Sequence, residues 1–148
     1  MEIKDGDIFE VPFVAGEMQI FNELAKDAYA KFLTFDAKSV SASMNMVLKI
    51  GGKFWVLWDD EKFAGVCMGM INPNFYNNAQ KIAECIFVGV LPEYQKTQWG
   101  LKMMRTFEAW AEEEGADFIC YGGYDKKYIR NMKRHGFEQI DVKLMKRI

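Results

Sequence analysis

Residues 83–101 read AECIFVGVLPEYQKTQWGL and carry the pattern that decides the fold. Their apolar, β-forming first part belongs to a predicted strand, Lys81–Leu91, which Pro92 ends. A helix is predicted over Gln98–Glu114, because four apolar residues recur on one helical face: Leu101, Met104, Phe107 and Ala111. The segment therefore predicts a strand that passes through a short turn into a helix.

The start of that helix is a candidate anion site. The first turn of a helix presents backbone N–H groups without internal partners, together with the positive end of the helix dipole. Phosphates bind readily at such a position. Gly100 lies in this turn, where the missing side chain leaves room for a pyrophosphate. From spacing alone, an ordinary glycine in a strand-to-helix turn stays an open alternative.

The rest of the chain predicts a mixed α/β domain. Upstream we expect a strand at Ile8–Val14, helices at Glu17–Leu33 and Asp36–Ile50, a hairpin of Lys53–Trp58 and Phe63–Ile71, and a loop at Asn72–Asn78. Downstream we expect a strand at Asp117–Tyr121, a basic helix at Asp125–His135 and a closing strand at Phe137–Arg147. The order β-α-α-β-β-β-α-β-α-β predicts a mostly antiparallel mixed sheet flanked by helices, in one domain spanning residues 1–148.

The composition excludes several classes of protein. Half of the 148 residues are apolar, which is enough for a core, and the net charge of −2 gives no overall basic surface for nucleic acid. Cys67, Cys85 and Cys120 lack the C-x-x-C spacing of a metal site and are interpreted as small buried residues. No apolar run has the length of a membrane span and no signal region is recognisable, so we expect a cytoplasmic protein without a membrane partner.

Residues 83–101 resemble motif A of the GNAT N-acetyltransferases, especially the branch that acetylates histones. In that branch a strand reading Ala-Glu-apolar-apolar-Phe precedes a Gln-x-x-Gly-x-Gly turn, and here Ala83–Phe87 and Gln95–Gly100 occupy those places. The later pair Gly136-Phe137 is similar to the end of the family's last helix. The order of elements is similar over nearly the whole chain. One position departs from the pattern, since Gln98 stands where the family has its first glycine.

The resemblance implies acetyl-CoA as cosubstrate, no metal, and transfer of an acetyl group to a primary amine of a small molecule or a protein. Backbone groups of the strand would pair with the pantetheine arm, and the N–H of Val88 or a neighbour would polarise the thioester carbonyl. The turn would hold the pyrophosphate, with Lys96 as an extra cation. The implied cofactor-binding residues are Val88, Gly89, Val90, Gln95, Lys96, Thr97, Gln98, Trp99, Gly100 and Leu101.

Glu84 is the residue to which the resemblance assigns the role of general base. An amine resembling a lysine side chain has a pKa near ~10.4 and must lose a proton before it attacks a thioester. A carboxylate among apolar neighbours is a stronger base, because burial disfavours its charged form. The open alternative is a glutamate at a sheet edge that points to solvent.

The general acid is less clearly marked. Many members of the family place a tyrosine four residues before the Gly-Phe pair, and here Met132 holds that position and cannot donate a proton. Tyr128, one helical turn earlier, is the candidate acid, and Tyr124 is the second. Packing is the alternative for both, and His135 is interpreted as structural or solvent-facing.

Four aromatic residues lie in the hairpin and the loop after it: Phe54, Trp55, Trp58 and Tyr76. Packing on the sheet is the favoured interpretation, and an aromatic acceptor groove is the alternative.

Three functions stay open at this point. The first is an acetyl-CoA-dependent amine acetyltransferase that works by direct attack. The second is a catalytically silent module that binds CoA or a protein, which Gln98 and Met132 favour. The third is an unrelated α/β interaction protein. The acceptor is not identified by the sequence, and a homodimer is an expectation that rests on the family resemblance alone.

Overall fold

The structure, a computed structural model, describes residues 1–24, 34–122, 126–141 and 146. Within these residues the strands are β1 (Glu2–Asp5), β2 (Lys53–Asp59), β3 (Lys62–Asn74), β4 (Asn77–Val90) and β5 (Phe118–Tyr121). The helices are α1 (Val11–Glu17), α2 (Gln19–Leu24), α3 (Ala37–Lys49), α4 (Trp99–Glu113) and α5 (Lys126–Arg134). A 3₁₀ turn, Pro92–Tyr94, separates β4 from α4.

The sheet has the strand order β1-β2-β3-β4-β5. The first four strands are antiparallel neighbours, and β5 runs parallel to β4. Between β4 and β5 the chain passes through α4, because a parallel pair needs a crossover that returns it to the same end of the sheet. The mixed, mostly antiparallel sheet predicted from the sequence is confirmed.

The two faces of the sheet carry separate cores, because successive residues of a strand point to opposite faces. Phe54 packs with Val14 of α1 and Met44 of α3 on one face, which we call the α3 face. Trp55, the next residue, packs against Phe107 of α4 on the other, which we call the α4 face. These positions confirm packing as the role of the two aromatic residues.

The N-terminal prediction is wrong in its elements. Ile8–Val14 is not a strand: a turn leads into α1, and the first strand lies earlier, at Glu2–Asp5, paired with β2. Pro12 suits the first turn of a helix, because its missing N–H has no acceptor to bond there. The predicted helix Glu17–Leu33 corresponds in part to α2, which follows a break at Met18, and residues 25–33 lie outside the described residues.

The loop predicted at Asn72–Asn78 is also wrong, because β3 continues to Asn74 and β4 begins at Asn77. Pairing of β3 with β2 reaches no further than Gly69, so Pro73 lies where β3 has a strand on one side only. A proline is tolerated at such an edge. The polar residues that suggested a loop are accommodated in this projecting hairpin, at whose tip Tyr76 is exposed.

The C-terminal predictions are borne out only in part. The helices predicted at Gln98–Glu114 and Asp125–His135 correspond to α4 and α5, and the strand at Asp117–Tyr121 to β5. For the closing strand, residues 137–141 form no regular element, and residues 142–145, 147 and 148 lie outside the described part of the chain.

Candidate active site at the β4 opening

Strand β4 contains one extra residue relative to β3. Met68 pairs with Phe87, and the next residue of β3, Gly69, pairs with Cys85, so Ile86 has no partner in β3. Such a β-bulge bends the strand and shifts the alternation of its side chains. The side chains that share one face of the sheet are therefore odd-numbered before the bulge and even-numbered after it.

The side chains around the bulge show this shift. Ala83 and Cys85 lie on the α4 face before it, and Val88 and Val90 lie on the same face after it. Glu84, next to Ala83, therefore points to the opposite, α3 face. It is half-buried in the middle of the sheet and not at an outer edge, because its register partners are Met70 of β3 and Cys120 of β5.

Beyond the bulge, β4 loses one of its two strand neighbours. Its pairing with β5 ends at Cys85, which is opposite Tyr121. Within the described residues, positions 86–90 of β4 have only β3 beside them. An unpaired edge presents backbone N–H and C=O groups to any ligand that lies along it. We call this edge, residues 86–90, the β4 opening.

Two of the residues in the β4 opening direct their backbone groups outward. The N–H of Leu91 donates to the carbonyl of Ala64 at 2.9 Å, so the main chain of Leu91 points to β3. Because the two groups of one residue point the same way and neighbouring residues alternate, those of Val88 and Val90 point into the opening. The side chain of Gln95 approaches from that side, with Nε2 3.5 Å from the Val90 oxygen. By the same alternation, Gly89 directs its groups to β3.

The turn after β4 ends at a helix N-terminus without a side-chain cap. Gln98 takes the N-cap position, and its exposed side chain makes no capping hydrogen bond. The N–H of Trp99 donates to Thr97 Oγ1 at 3.3 Å. The N–H groups of Gly100 and Leu101 belong to the first turn, where the helix itself offers no acceptor.

Packing within the protein does not require a glycine at position 100. A Cβ atom built on it would have only Val90 Cγ2 within 4 Å, at 3.8 Å, whereas one on Gly69 would lie 2.2 Å from the ring of Phe107. The backbone at Gly100 is ordinary helix. The space beside this glycine is therefore open at the end of α4 where an anion is favoured.

The turn itself is tied to the neighbouring hairpin. The hydroxyl of Tyr94 donates to Asp59 Oδ2 at 2.7 Å, and this hydrogen bond is the main reason that the pKa of Tyr94 is raised to about 12. Thr97 Oγ1 in turn donates to the carbonyl of Tyr94. The turn is thus fixed at its start, while Gln95 and Lys96 remain exposed.

A cleft of about 750 Å³ lies between this turn and α5, and we call it the basic cleft. It is lined by Gln95, Tyr128 and Asn131 and by three cations, Lys127, Arg130 and Arg134. The cations recur at helical spacing, so one face of α5 carries them all toward the cleft. Guanidinium groups bind phosphates through paired hydrogen bonds, so this cleft suits a phosphorylated ligand.

Tyr128, the candidate acid, is half-buried where α5 meets the strands. Burial, followed by the nearby thiols of Cys85 and Cys67, raises the pKa of Tyr128 to about 12. The Sγ atoms of those two cysteines are 4.0 Å apart, with Cys67 fully buried. Met132, which occupies the usual position of the family's tyrosine, is buried as well. Tyr124 lies outside the described residues.

A second recess, of about 340 Å³, lies between α3 and the strands β3 and β4, and we call it the α3 cavity. Its apolar lining includes Val40, Met44, Val47, Met68 and Phe87. Its polar lining includes Asn22, Asp36, Ser39 and Ser43. Ile86, the bulge residue, also lines it, so the cavity adjoins the β4 opening on the face to which Glu84 points.

A family model for the acetyltransferase (GNAT) family matches residues 18–137. The chain belongs to the GNAT acetyltransferase family. The match includes β4, the turn and α4, and therefore the whole β4 opening. Among curated protein sequences, none matches this chain.

Solved GNAT structures share the fold at low sequence identity. A predicted acetyltransferase from Clostridium acetobutylicum, determined with acetyl-CoA, has a TM-score of 0.76 at 14% identity, covering 99% of this chain and 95% of that one. Glucosamine-6-phosphate N-acetyltransferase from Arabidopsis thaliana has a TM-score of 0.73 at 14% identity, covering 99% and 97%. An aminoglycoside acetyltransferase from an uncultured soil sample, in complex with trehalose, has a TM-score of 0.74 at 14% identity, covering 99% and 95%.

Sequence reasoning missed the residues of the α3 cavity in this GNAT chain. The sequence predicts the helix at Asp36–Ile50, and its apolar stripe of Val40, Met44 and Val47 is recognisable from helical spacing, but the spacing does not show that the stripe lines a cavity. Of the hairpin aromatics, Trp58 is also a packing group, since it stacks on Phe13 at 5.8 Å between ring centroids. Tyr76 is exposed, so packing on the sheet is wrong for that residue.

Two features are absent from the part of the chain that the structure describes. In that part of the chain, no cluster of three or more His, Cys, Asp or Glu residues is arranged to hold a metal. No helix there has the length and apolar character that crossing a bilayer requires.

Proposed function

We propose that this GNAT protein is an acetyl-CoA-dependent N-acetyltransferase that acetylates a primary amine by direct attack. The observation that carries the proposal is the β4 opening, where the main-chain groups of Val88 and Val90 face outward beside the uncapped first turn of α4. A ligand with amide groups followed by phosphates matches that succession of strand edge and helix N-terminus.

The residues around the opening fit acetyl-CoA part by part. The N–H groups of Gly100 and Leu101 would receive the pyrophosphate, with the open space beside Gly100 allowing close approach. The basic cleft supplies cations for the remaining phosphate charge. The amides of the pantetheine arm would pair with the strand edge as an added strand does. The exposed side chain of Gln98 leaves these helix amides uncapped, so it does not obstruct this assignment.

Glu84 is proposed as the general base. It is held in the middle of the sheet, and its side chain points to the face on which the α3 cavity adjoins the opening. The amine would give a proton to Glu84 and attack the thioester carbonyl carbon, while the outward N–H of Val88 stabilises the charge on the carbonyl oxygen. The nitrogen releases its second proton to solvent as the C–S bond breaks, and CoA leaves as a thiolate.

Tyr128 is proposed as a hydrogen-bond donor to the leaving sulfur. A thiol has a pKa near ~8.5, whereas burial raises the pKa of Tyr128 to about 12. Full transfer of the tyrosine proton to a thiolate is therefore unfavourable, and a hydrogen bond is the contribution that Tyr128 can make. Solvent would supply the proton that completes CoA-SH.

A second candidate function is a silent GNAT module that binds CoA without transfer. The observation in its favour is Met132, a buried thioether where many relatives have a proton donor. The two candidates share the donor site and differ only in turnover.

The test has two measurements on the same preparation. Acetyl-CoA should raise the melting temperature, and CoA thiol should be released when a mixture of primary amines is added. A melting shift without any thiol release would support the silent module. No melting shift with either acetyl-CoA or CoA would overturn both candidates.

A further inference from the structure

The α3 cavity provides chemical evidence on the acceptor, and this inference rests on the proposed function. Ile86 and Phe87 line the cavity and also begin the β4 opening. An amine seated in the cavity would therefore present its nitrogen next to the opening, on the face to which Glu84 points.

The inner surface of the α3 cavity is apolar. Val40, Met44 and Val47 recur on one side of α3, and Met68 and Phe87 face them from the sheet. Met44 and Met68 are almost fully buried, and methionine adapts its shape to different apolar ligands. A volume of about 340 Å³ is near the lower end of ligand pockets, so the occupant is small.

Among the described residues that line the cavity, one carries a charge at neutral pH. This residue is Asp36, and none of those described is a lysine or arginine. Hydrogen bonds from the Ser39 side chain and backbone hold the pKa of Asp36 below its ordinary value, so it stays anionic. A carboxylate at an apolar recess attracts an ammonium group and repels a phosphate.

We infer that the acceptor of this enzyme is a small monoamine with an apolar body, which Asp36 attracts as an ammonium ion to the polar side of the α3 cavity. Its body is then seated on the apolar side, with its single nitrogen at the β4 opening, where it loses a proton to Glu84 before attack. The negative charge of Asp36 disfavours a sugar phosphate. A polyhydroxylated aminoglycoside is disfavoured because the apolar lining would leave its hydroxyl groups without partners.

The experiment compares kcat/KM for five acceptors at saturating acetyl-CoA: 2-phenylethylamine, n-hexylamine, glucosamine 6-phosphate, an aminoglycoside and a lysine peptide. We expect at least a tenfold preference for the first two. If any of the other three is preferred, the inference fails while the proposed function stands. If no acceptor releases CoA thiol, the proposed function fails and takes the inference with it.

Substitution of Asp36 tests whether the preference for apolar amines arises in the α3 cavity. Asp36→Asn removes the charge and keeps a good helix N-cap, whereas Asp36→Ala removes both. We expect Asp36→Asn to raise KM for 2-phenylethylamine about fivefold, with kcat and the Kd of acetyl-CoA unchanged and the melting temperature retained. Unchanged KM in Asp36→Asn would overturn the role of Asp36 in binding the amine.

Discussion

The basic cleft and the α3 cavity both adjoin the β4 opening, and they differ in charge. Three cations of α5 line the cleft, whereas the described lining of the cavity contains one carboxylate and no cation. In the proposed function, the cleft therefore takes the phosphates of the donor and the cavity takes the ammonium form of the acceptor. In that proposal, the opposite charges of the two sites would keep acetyl-CoA out of the cavity and the amine out of the cleft. Both ligands would then meet at the β4 opening.

The same contrast appears along β4 itself. From Ile82 to Cys85 the strand is paired on both sides and fixes the position of Glu84, whereas residues 86–90 are paired on one side and leave main-chain groups for a ligand. A rigid part supplies the side chain, and an open part supplies the backbone. The predictions below separate the contributions of these regions.

The largest effect is expected from Glu84→Gln. Without the base, kcat should fall about 100- to 10,000-fold. The Kd of acetyl-CoA, measured by calorimetry, should be unchanged, because the side chain points away from the α4 face. Glu61→Gln, in the exposed turn between β2 and β3, is the matched control and should retain full activity. A kcat within threefold of the parent would remove Glu84 from the mechanism.

Gly100→Val tests only the pyrophosphate position proposed at the first turn of α4. The new side chain would meet only Val90 in the protein but would fill the space proposed for the pyrophosphate. The Kd of acetyl-CoA should rise at least about tenfold, which corresponds to about 1.4 kcal/mol. Gly16→Val in α1 is the control, since a Cβ there meets no neighbour within 4 Å and the site is remote from α4 in the chain. Equal affinity in both variants would contradict the phosphate assignment.

The double variant Arg130→Gln, Arg134→Gln tests the basic cleft. Two exposed cations should together contribute a five- to tenfold change in the Kd of acetyl-CoA at low salt and less at high salt, because the charges are screened. Lys133→Gln removes a charge from the same helix at a position that does not line the cleft. A similar loss in that control would mean that net charge, and not the cleft, attracts the donor.

The sequence predicts the proposed acetyl-CoA site, at the end of β4 and the start of α4, better than it predicts the α3 cavity. The reason is physical. A strand, a turn and the start of α4 are consecutive in the chain, so local rules place Gly100 and its neighbours at a helix N-terminus. The basic face of α5 is equally local. The α3 cavity is formed by side chains from several elements, and no window of the sequence contains both Asp36 and Phe87.

The bulge at Ile86 also could not be predicted, because it depends on the register between β3 and β4 and not on residues of β4 alone. The α1 segment failed for a different reason. Val11 and Val14 around Pro12 are too short a run to distinguish a strand from a helix by spacing. Only pairing of the earlier Glu2–Asp5 with β2 fixes which segment is the strand.

The smallest effect is expected from Tyr128→Phe, which tests the hydrogen bond proposed between Tyr128 and the leaving sulfur. Because the pKa of Tyr128 is raised to about 12, the hydroxyl stays protonated up to about pH 11, and its loss removes a hydrogen bond without removing a titrating group. We expect kcat to fall less than fivefold and the pH–rate profile to keep its shape between pH 6 and 10. Tyr121→Phe is the control: its hydroxyl bonds Met104 and Glu108, so it should cost about 1 kcal/mol of stability and leave kcat unchanged. If Tyr128→Phe lowers kcat a hundredfold and abolishes an alkaline limb of the profile, Tyr128 donates its proton outright, and the hydrogen-bond role proposed for it is wrong.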